Sequence, residues 1–277
     1  MHRYSAPLKP ANFERLVKNV QHKVRVAVTS RSKPDFSDKW RQFKAHLSAA
    51  QNRKCGFCDG YAIGQHYGDV EHYAPKSELE SLFDDPQTWG SENSYLANVV
   101  GRKTRTICNR GYWWRAYEWD NYVLACAICN QQWKKAIFPV AEPSRTLPPR
   151  PRCVETPLLL HPFRGPRPED HLKYGALGEV EARDGSPYGF ETIRTLGLDR
   201  PSLRGQRATL ARNIHRKIDA LASSSPARRR DLLDDIYDAG DSAQAFCGMV
   251  RCIFRDRTGM TWDELEERMR VAKGASE

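Results

Sequence analysis

Apolar residues recur at helical spacing in the first fifty residues of the chain. The segment 35–52 carries four of them at intervals of three or four, which predicts a helix with one apolar face. They are Phe36, Trp40, Phe43 and Leu47. Pro34 precedes the run, and Asp35 or Ser37 is a suitable N-cap. A further helix is predicted over residues 11–28.

The C-terminal third has the same periodicity. One helical stripe is formed by Leu203, Leu210, Ile214, Ile218 and Leu221. Ser225 followed by proline predicts a helix start. Asp241 is expected to cap a helix that holds Phe246, Val250 and Phe254, and Thr261 with Glu264 has the form of a capping box. We therefore predict a helical region over 201–277.

The middle of the chain follows neither period. Residues from Cys55 to about Pro139 are irregular and rich in aromatic side chains, and residues 141–170 include eight prolines. Proline lacks an amide hydrogen, so this stretch is expected to be extended or loop-like. The pattern divides the chain into segments 1–54, 55–140, 141–200 and 201–277. The predicted fold class is α+β, mostly helical.

Charge is concentrated in the first segment. The net charge is +10, and residues 1–54 alone hold 13 Lys or Arg against 3 Asp or Glu. Such a segment suits a polyanion such as nucleic acid, although a solvated helical surface has the same composition. The N-terminal residues lack the apolar core of a signal peptide, and no apolar run approaches the ~18 residues of a membrane span. A cytoplasmic protein without membrane contact is expected.

Two CxxC pairs carry the strongest chemical signal. Cys55 with Cys58 and Cys126 with Cys129 provide four thiolates, the preferred ligands of a closed tetrahedral zinc site. A closed site leaves no position for water, so this Zn²⁺ is expected to be structural. The other four cysteines, Cys108, Cys153, Cys247 and Cys252, do not form CxxC pairs. Cys247 and Cys252 lie in an apolar helical stretch, where they are expected to be core residues.

The residues between the two pairs include a second candidate site. The stretch DVEHYAPK holds Asp69, Glu71 and His72 and begins 11 residues after Cys58. Asn121 precedes the second cysteine pair and Asn130 follows it directly. Zinc bound by both pairs would bring Glu71, His72 and the two asparagines into one neighbourhood.

These residues resemble a known family. DVEHYAPK followed by WDNYVLACAICNQQWK is similar to the HNH endonuclease motif, also called the ββα-metal fold, whose members often have two flanking CxxC pairs. The resemblance matches His72 to the first motif histidine, Asn121 to the middle residue, Asn130 to the last and Glu71 to the acid. It implies a ββα-metal core with a zinc knuckle in 55–140, between basic N-terminal helices and a C-terminal helical region.

The similarity extends over about residues 40–210. HYAPKS, CNQQWKKAIFP, ETPLLLHP and TIRTLGLDRPSLRGQR resemble a subfamily found beside ATPases in anti-phage systems of the Septu and retron-associated kind. An ATPase partner is therefore implied. The chain departs from the subfamily at His161, where asparagine is usual, and in the longer stretch 77–116.

The resemblance implies phosphodiester hydrolysis in DNA, with RNA left open as a substrate. His72 would accept a proton from water, since a neutral imidazole suits that task. Glu71 and Asn130, with Asp69 as a further ligand, offer the hard oxygen donors that favour Mg²⁺ or Mn²⁺. Asn121 is expected to position the loop beside His72, and Lys134 to reach a phosphate.

A function without catalysis is the alternative. A zinc-stabilised nucleic-acid-binding or adaptor protein needs the cysteines but not His72, Glu71 and Asn130. The aromatic stretch 111–119 suits base stacking, but a structural core is the simpler interpretation. The arginines at 228–230 are expected to lie on a solvated helix face.

Overall fold

The computed structural model describes residues 1–62, 68–82, 104–141, 147–152 and 154–274. Helices account for about half of the architecture, which is α+β as predicted. They are α1 (Phe13–Thr29), α2 (Lys44–Ala50), α3 (Pro187–Leu196), α4 (Pro201–Leu221), α5 (Pro226–Ala239), α6 (Cys247–Thr258) and α7 (Trp262–Gly274). Short 3₁₀ turns lie between them, including Lys39–Phe43 directly before α2.

The strands of the described residues form three antiparallel pairs. β1 (Asp69–His72) pairs with β4 (Tyr122–Ala125), β2 (Leu79–Leu82) with β3 (Thr104–Cys108), and β5 (Leu172–Tyr174) with β6 (Val180–Ala182). In the first pair His72 lies opposite Tyr122 and Asp69 opposite Ala125. A wide, π-type helical segment, Ile128–Lys134, follows β4. The β1–β4 pair and this segment carry most of the predicted site residues.

The N-terminal prediction is confirmed with a later start for its second helix. The chain forms a 3₁₀ turn at Lys39–Phe43 and then α2, so neither Asp35 nor Ser37 is its N-cap. The predicted apolar face is buried as expected at Trp40, Phe43 and Leu47. These side chains pack under α1 and the aromatic stretch, where Phe13 lies 4.9 Å from Phe43 between ring centroids.

Capping in the C-terminal region follows the sequence at two positions of three. Ser225 accepts a hydrogen bond from the Arg228 amide, and Thr261 and Glu264 form the reciprocal capping box. The expected cap at Asp241 is wrong. α6 begins only at Cys247, because Phe246 adopts a left-handed conformation with φ of 61° that interrupts the helical path.

One continuous core draws on all four sequence segments. It includes Phe13, Val123, Leu160, Leu203 and Phe254, each almost fully buried. Segment 141–200 contributes to this core through β5, β6 and α3, which follow the proline-rich stretch 141–170. Over the part of the chain that the structure describes, no helix combines the length and apolar character needed to cross a membrane.

Candidate metal centre and adjoining polar site

The four predicted cysteines lie together. The Sγ atoms of Cys55, Cys58, Cys126 and Cys129 are all within 4.8 Å of one another, and the Cys58 and Cys126 sulfurs are 4.0 Å apart. Tetrahedral zinc–thiolate coordination requires sulfurs about 3.8 Å apart. The cluster is largely buried. Donor type, spacing and burial therefore fit a structural zinc ion.

Two polar side chains brace this cluster. Both terminal nitrogens of Arg200 lie 3.7 Å from the Cys129 sulfur, and one also donates to the carbonyls of Leu196 and Gly197. A guanidinium at this position offsets the negative charge that four thiolates leave on a divalent ion. Gln51 donates to the Leu124 carbonyl and accepts from its amide, which ties the first cysteine knuckle to β4.

The acids of β1 face the helical segment that follows β4. The Gln131 amide donates to Asp69 at 3.0 Å, and the Lys134 ammonium donates to Glu71 at 2.7 Å. Alternation of side chains along β1 places both carboxylates on one face of the strand. The structure thus brings Asp69, Glu71 and Lys134 to one side of the β1–β4 pair.

Lys134 occupies a different environment from the one expected for a phosphate-binding residue. Its side chain is fully buried, and the ammonium donates to Glu71 and, at 2.9 Å, to the His72 carbonyl. Burying an ammonium is costly unless it is paired and hydrogen-bonded, and both conditions are met here. In this arrangement Lys134 neutralises Glu71, and contact with a phosphate would require the pair to open.

His72 is held in one tautomer. Its ring is 4% exposed, and Nε2 lies 2.9 Å from the Ala116 carbonyl oxygen. Because a carbonyl oxygen only accepts hydrogen bonds, Nε2 carries the proton and Nδ1 keeps its lone pair. Burial, reinforced by the nearby Lys76 ammonium, holds the pKa of His72 well below its usual range. The ring is therefore neutral at physiological pH and has a free basic nitrogen.

Aromatic side chains enclose the His72 ring. Trp40 and Tyr122 meet it edge-on, with centroids 4.7 Å and 5.3 Å away. The Tyr122 hydroxyl donates to the same Ala116 carbonyl that accepts from His72. Ala116 belongs to the aromatic stretch 111–119, whose Tyr112 and Tyr117 are buried. This stretch packs as core, in line with the simpler interpretation of its sequence.

Asn121 fixes the loop after β1. Its Oδ1 accepts from the Ala74 amide, and its Nδ2 donates to the carbonyls of Ala74 and Arg115. The side chain is completely buried, and its backbone carbonyl accepts from Tyr73. Asn121 therefore joins the end of the strand that carries His72 to the segment that holds the His72 ring.

Asn130 lies in the helical segment directly after Cys129. Its backbone is bonded to Cys126 and Lys135, and its side chain is partly exposed. Within the described residues, no hydrogen bond joins its amide to Glu71 or His72. The structure thus places Asn130 next to the four-cysteine cluster and on the element that contacts Glu71.

The oxygen donors suit a hard cation in type. Among the His, Cys, Asp and Glu side chains of the described residues, the four cysteines form the one group of three or more that is close enough to hold a single ion. Glu71 already shares one oxygen with Lys134, and Asp69 is bonded to Gln131. A magnesium or manganese ion at Glu71 would have to bind alongside the Lys134 ammonium or replace it.

A second buried polar cluster joins the knuckle to the C-terminal helices. Lys54 and Asp59 form an ion pair at 2.9 Å, and both side chains are almost completely buried. Tyr4 and the Gly248 amide donate to Asp59, while the Lys54 ammonium lies 3.1 Å from the Cys247 sulfur. In the sequence, Lys54 is one of the basic residues of segment 1–54, and no local pattern indicates that its side chain is buried.

The other cysteines divide as the sequence suggests. Cys247 and Cys252 are buried, and burial raises the pKa of each thiol to about 12. Cys108 is partly exposed at the end of β3. Cys153 lies outside the described residues, as does part of the stretch 77–116. His161 is buried beside Tyr73, with ring centroids 4.4 Å apart.

Comparison with known proteins gives one relative. The chain is 30% identical over 167 residues to Septu protein PtuB of Bacillus mycoides (strain KBAB4), an alignment that covers 60% of this chain and 50% of that protein. The chain thus matches about half the length of this curated relative. No protein-family model and no solved structure matches it. The similarity supports a relationship to Septu proteins.

Proposed function

We propose that this protein is a metal-dependent endonuclease of the HNH type that hydrolyses phosphodiester bonds in DNA and acts in anti-phage defence. The single observation that carries the proposal is the fixed tautomer of His72. A neutral, buried imidazole whose Nδ1 is left free, one residue from a strand carboxylate, has the properties of a general base. One active site per chain favours nicking.

His72 would take a proton from the attacking water at Nδ1. The Ala116 carbonyl holds the Nε2 proton and stabilises the imidazolium that forms. Asn121 keeps the loop and the Ala116 segment in register, so the base does not have to be ordered at the moment of reaction. The side chains of His72 and Asn121 are both buried, so their positions are determined by the surrounding core.

Glu71 would hold the catalytic Mg²⁺ or Mn²⁺, with Asn130 and Asp69 as further oxygen donors. Such an ion supplies positive charge at the scissile phosphate and the leaving oxygen. Lys134 keeps the Glu71 carboxylate oriented and compensates its charge before an ion binds. A zinc ion at the four cysteines would hold β4, which pairs with β1, together with the helical segment that carries Asn130 and Lys134.

The defence role rests on similarity to a Septu protein. The resemblance of the sequence to HNH proteins encoded beside ATPases adds an ATPase as a partner. A chain that acts with such a partner is expected to show low activity alone, so nuclease assays need the protein with and without it.

The test is cleavage of supercoiled plasmid, single-stranded DNA and RNA with Mg²⁺ or Mn²⁺. We expect plasmid nicking by the wild-type chain and none by His72→Ala. His46→Ala, which removes an exposed histidine from α2, is the matched control and should cut normally. If His72→Ala cuts as fast as wild type, the base assignment is wrong.

An adaptor function is the second candidate, and two observations favour it. Lys134 already satisfies Glu71, and His72 is nearly inaccessible to water in this arrangement. A zinc-stabilised binding protein would have both features without catalysing a reaction. Binding of DNA without any nicking, even with the ATPase partner and both metals present, would support the adaptor and reject the nuclease.

A further inference from the structure

Lys76 extends over the face of Trp40 beside the candidate base. It is the last residue of the stretch DVEHYAPK, and its ammonium lies 4.4 Å from the centroid of the Trp40 ring. Trp40 in turn meets the His72 ring edge-on at 4.7 Å, with an interplanar angle of 84°. One tryptophan therefore contacts both the candidate base and a lysine four residues further along the chain.

The loop that carries Lys76 is fixed on both sides. Asn121 bonds to the amide and carbonyl of Ala74, and the Pro75 carbonyl accepts from the Tyr112 amide at 2.7 Å. Gly111 approaches the same carbonyl so closely that an added Cβ would lie 2.5 Å from it. The backbone position of Lys76 is thus determined by buried contacts, and its long side chain has a defined starting point.

The two lysines near Glu71 differ in availability. Lys134 is fully buried and bonded to Glu71. Lys76 is partly exposed and, among the described residues, takes part in no ion pair. Burial lowers the pKa of Lys76, while Glu71 opposes that shift, so the ammonium also lies within electrostatic reach of the β1 acid. Because Lys134 already neutralises Glu71, the Lys76 ammonium adds positive charge beside His72.

We propose that Lys76, held on the face of Trp40, binds a backbone phosphate of the nucleic acid next to His72. An ammonium without an acidic partner attracts a phosphate, and the aromatic face keeps the group in place without neutralising it. The inference deepens the proposed function and rests on it for the identity of the ligand. It assigns substrate contact to Lys76 and charge compensation at Glu71 to Lys134.

Salt dependence of binding tests this assignment. The full-length protein is titrated with three labelled probes of equal length, namely duplex DNA, single-stranded DNA and RNA, over a KCl series. Mg²⁺ and Mn²⁺ are left out of the buffer so that no strand is cut, and no chelator is added, because a chelator would remove a structural zinc ion. Each phosphate contact contributes about 0.9 to the slope of log affinity against log salt on duplex DNA and ~0.7 on single strands. The slope therefore reports contacts rather than overall stability.

Charge removal at position 76 should lower both affinity and slope. We expect Lys76→Gln to reduce the slope by about one contact and to weaken binding uniformly across sequences. Lys76→Arg should retain the slope. Lys173→Gln removes the same charge from β5, where Lys173 forms an exposed ion pair with Glu181 of β6, and should leave the slope unchanged. Trp40→Leu should weaken binding, and Trp40→Phe should restore most of it.

The outcomes separate this inference from the nuclease proposal. An unchanged slope for Lys76→Gln, or the loss of a contact in Lys134→Met instead, overturns the inference even if plasmid is nicked. A reduced slope supports it even if no plasmid is nicked. Failure of the wild-type chain to bind any of the three probes overturns both the inference and the nucleic-acid part of the proposed function.

Discussion

The ammonium of Lys134 lies 2.7 Å from a carboxylate oxygen of Glu71 and has no access to solvent. It joins the helical segment after the second cysteine pair to the strand that carries His72. The pair places a protein cation where the proposed function requires a divalent ion. Its energetic and functional consequences can therefore be separated by experiment.

Removing one member of this pair should be much more damaging than removing both. Glu71→Gln leaves a buried ammonium without its partner, a change that costs about 3–5 kcal/mol in comparable sites. Glu71→Gln combined with Lys134→Met should recover most of that free energy of unfolding. Urea denaturation of the wild-type protein and of these two variants measures the differences.

The exposed pair of Lys173 and Glu181 provides the control. Glu181→Gln should change the free energy of unfolding by less than about 1 kcal/mol. If Glu71→Gln has an equally small effect, the buried pair does not contribute in the way its geometry indicates.

Loss of one zinc ligand should unfold the central part of the chain. Cys58→Ser or Cys129→Ser is expected to lower zinc content from one ion per chain and to lower the melting temperature, since metal binding and folding are coupled. Elemental analysis and thermal unfolding measure the two effects. Cys108→Ser, outside the cluster, should keep its zinc. A Cys129→Ser variant with full stability and full zinc content would contradict a structural four-thiolate site.

The Asn121 amide should contribute to stability and to order in the following loop. Asn121→Ala leaves the Ala74 and Arg115 carbonyls without their donor, at a cost of about 1–3 kcal/mol for each group that stays unsatisfied. The Ala74 amide should then exchange with deuterium faster. Asn19→Ala, on the exposed face of α1, is the matched control. Unchanged exchange at Ala74 would mean that the side chain does not hold this loop.

Mild acid should destabilise the protein through buried His2. Burial lowers the pKa of His2 from its usual 6.5 to about 3. The unfolded chain therefore binds a proton below pH 6.5 that the folded chain does not, and stability falls with pH from 6.5 towards 3. Between pH 7.5 and 5.5 this one histidine accounts for about 1.4 kcal/mol.

Replacement of that histidine isolates its contribution. His2→Phe should lose less stability over the same interval than wild type, by about that amount, in urea denaturation at the two pH values. His22→Phe, on the exposed side of α1, should follow the wild-type curve. Equal losses for His2→Phe and wild type would show that His2 is not buried in its neutral form.

The sequence predicted correctly several features that depend on residues close to one another in the chain. The CxxC spacing led to the four-cysteine cluster because two residues between thiolates fit one metal ion. Ser225 and Thr261 were predicted as caps because capping involves residues only three positions apart. Asp241 failed as a cap because the left-handed backbone of Phe246, which bonds to Asp59 across the fold, delays the start of α6.

Contacts between distant segments were outside the reach of pattern analysis. Lys134 and Glu71 are 63 residues apart, and Lys54 and Cys247 are 193 apart. Lysine side chains are usually exposed to solvent, so the burial of Lys54 and Lys134 was not predicted from the sequence. The stretch DVEHYAPK contained Lys76, but only the tertiary structure shows that Trp40 holds its ammonium beside His72.

Strand β4 has one end at the zinc cluster and the other at the Asn121 amide. Because successive strand residues face opposite sides, adding or deleting one residue between Asn121 and Cys126 would exchange the faces of Val123 and Leu124 and move Tyr122 away from His72. The number of residues in β4 therefore sets the distance from the four-cysteine cluster to His72. Insertions and deletions here should be far less tolerated than conservative substitutions at the same positions.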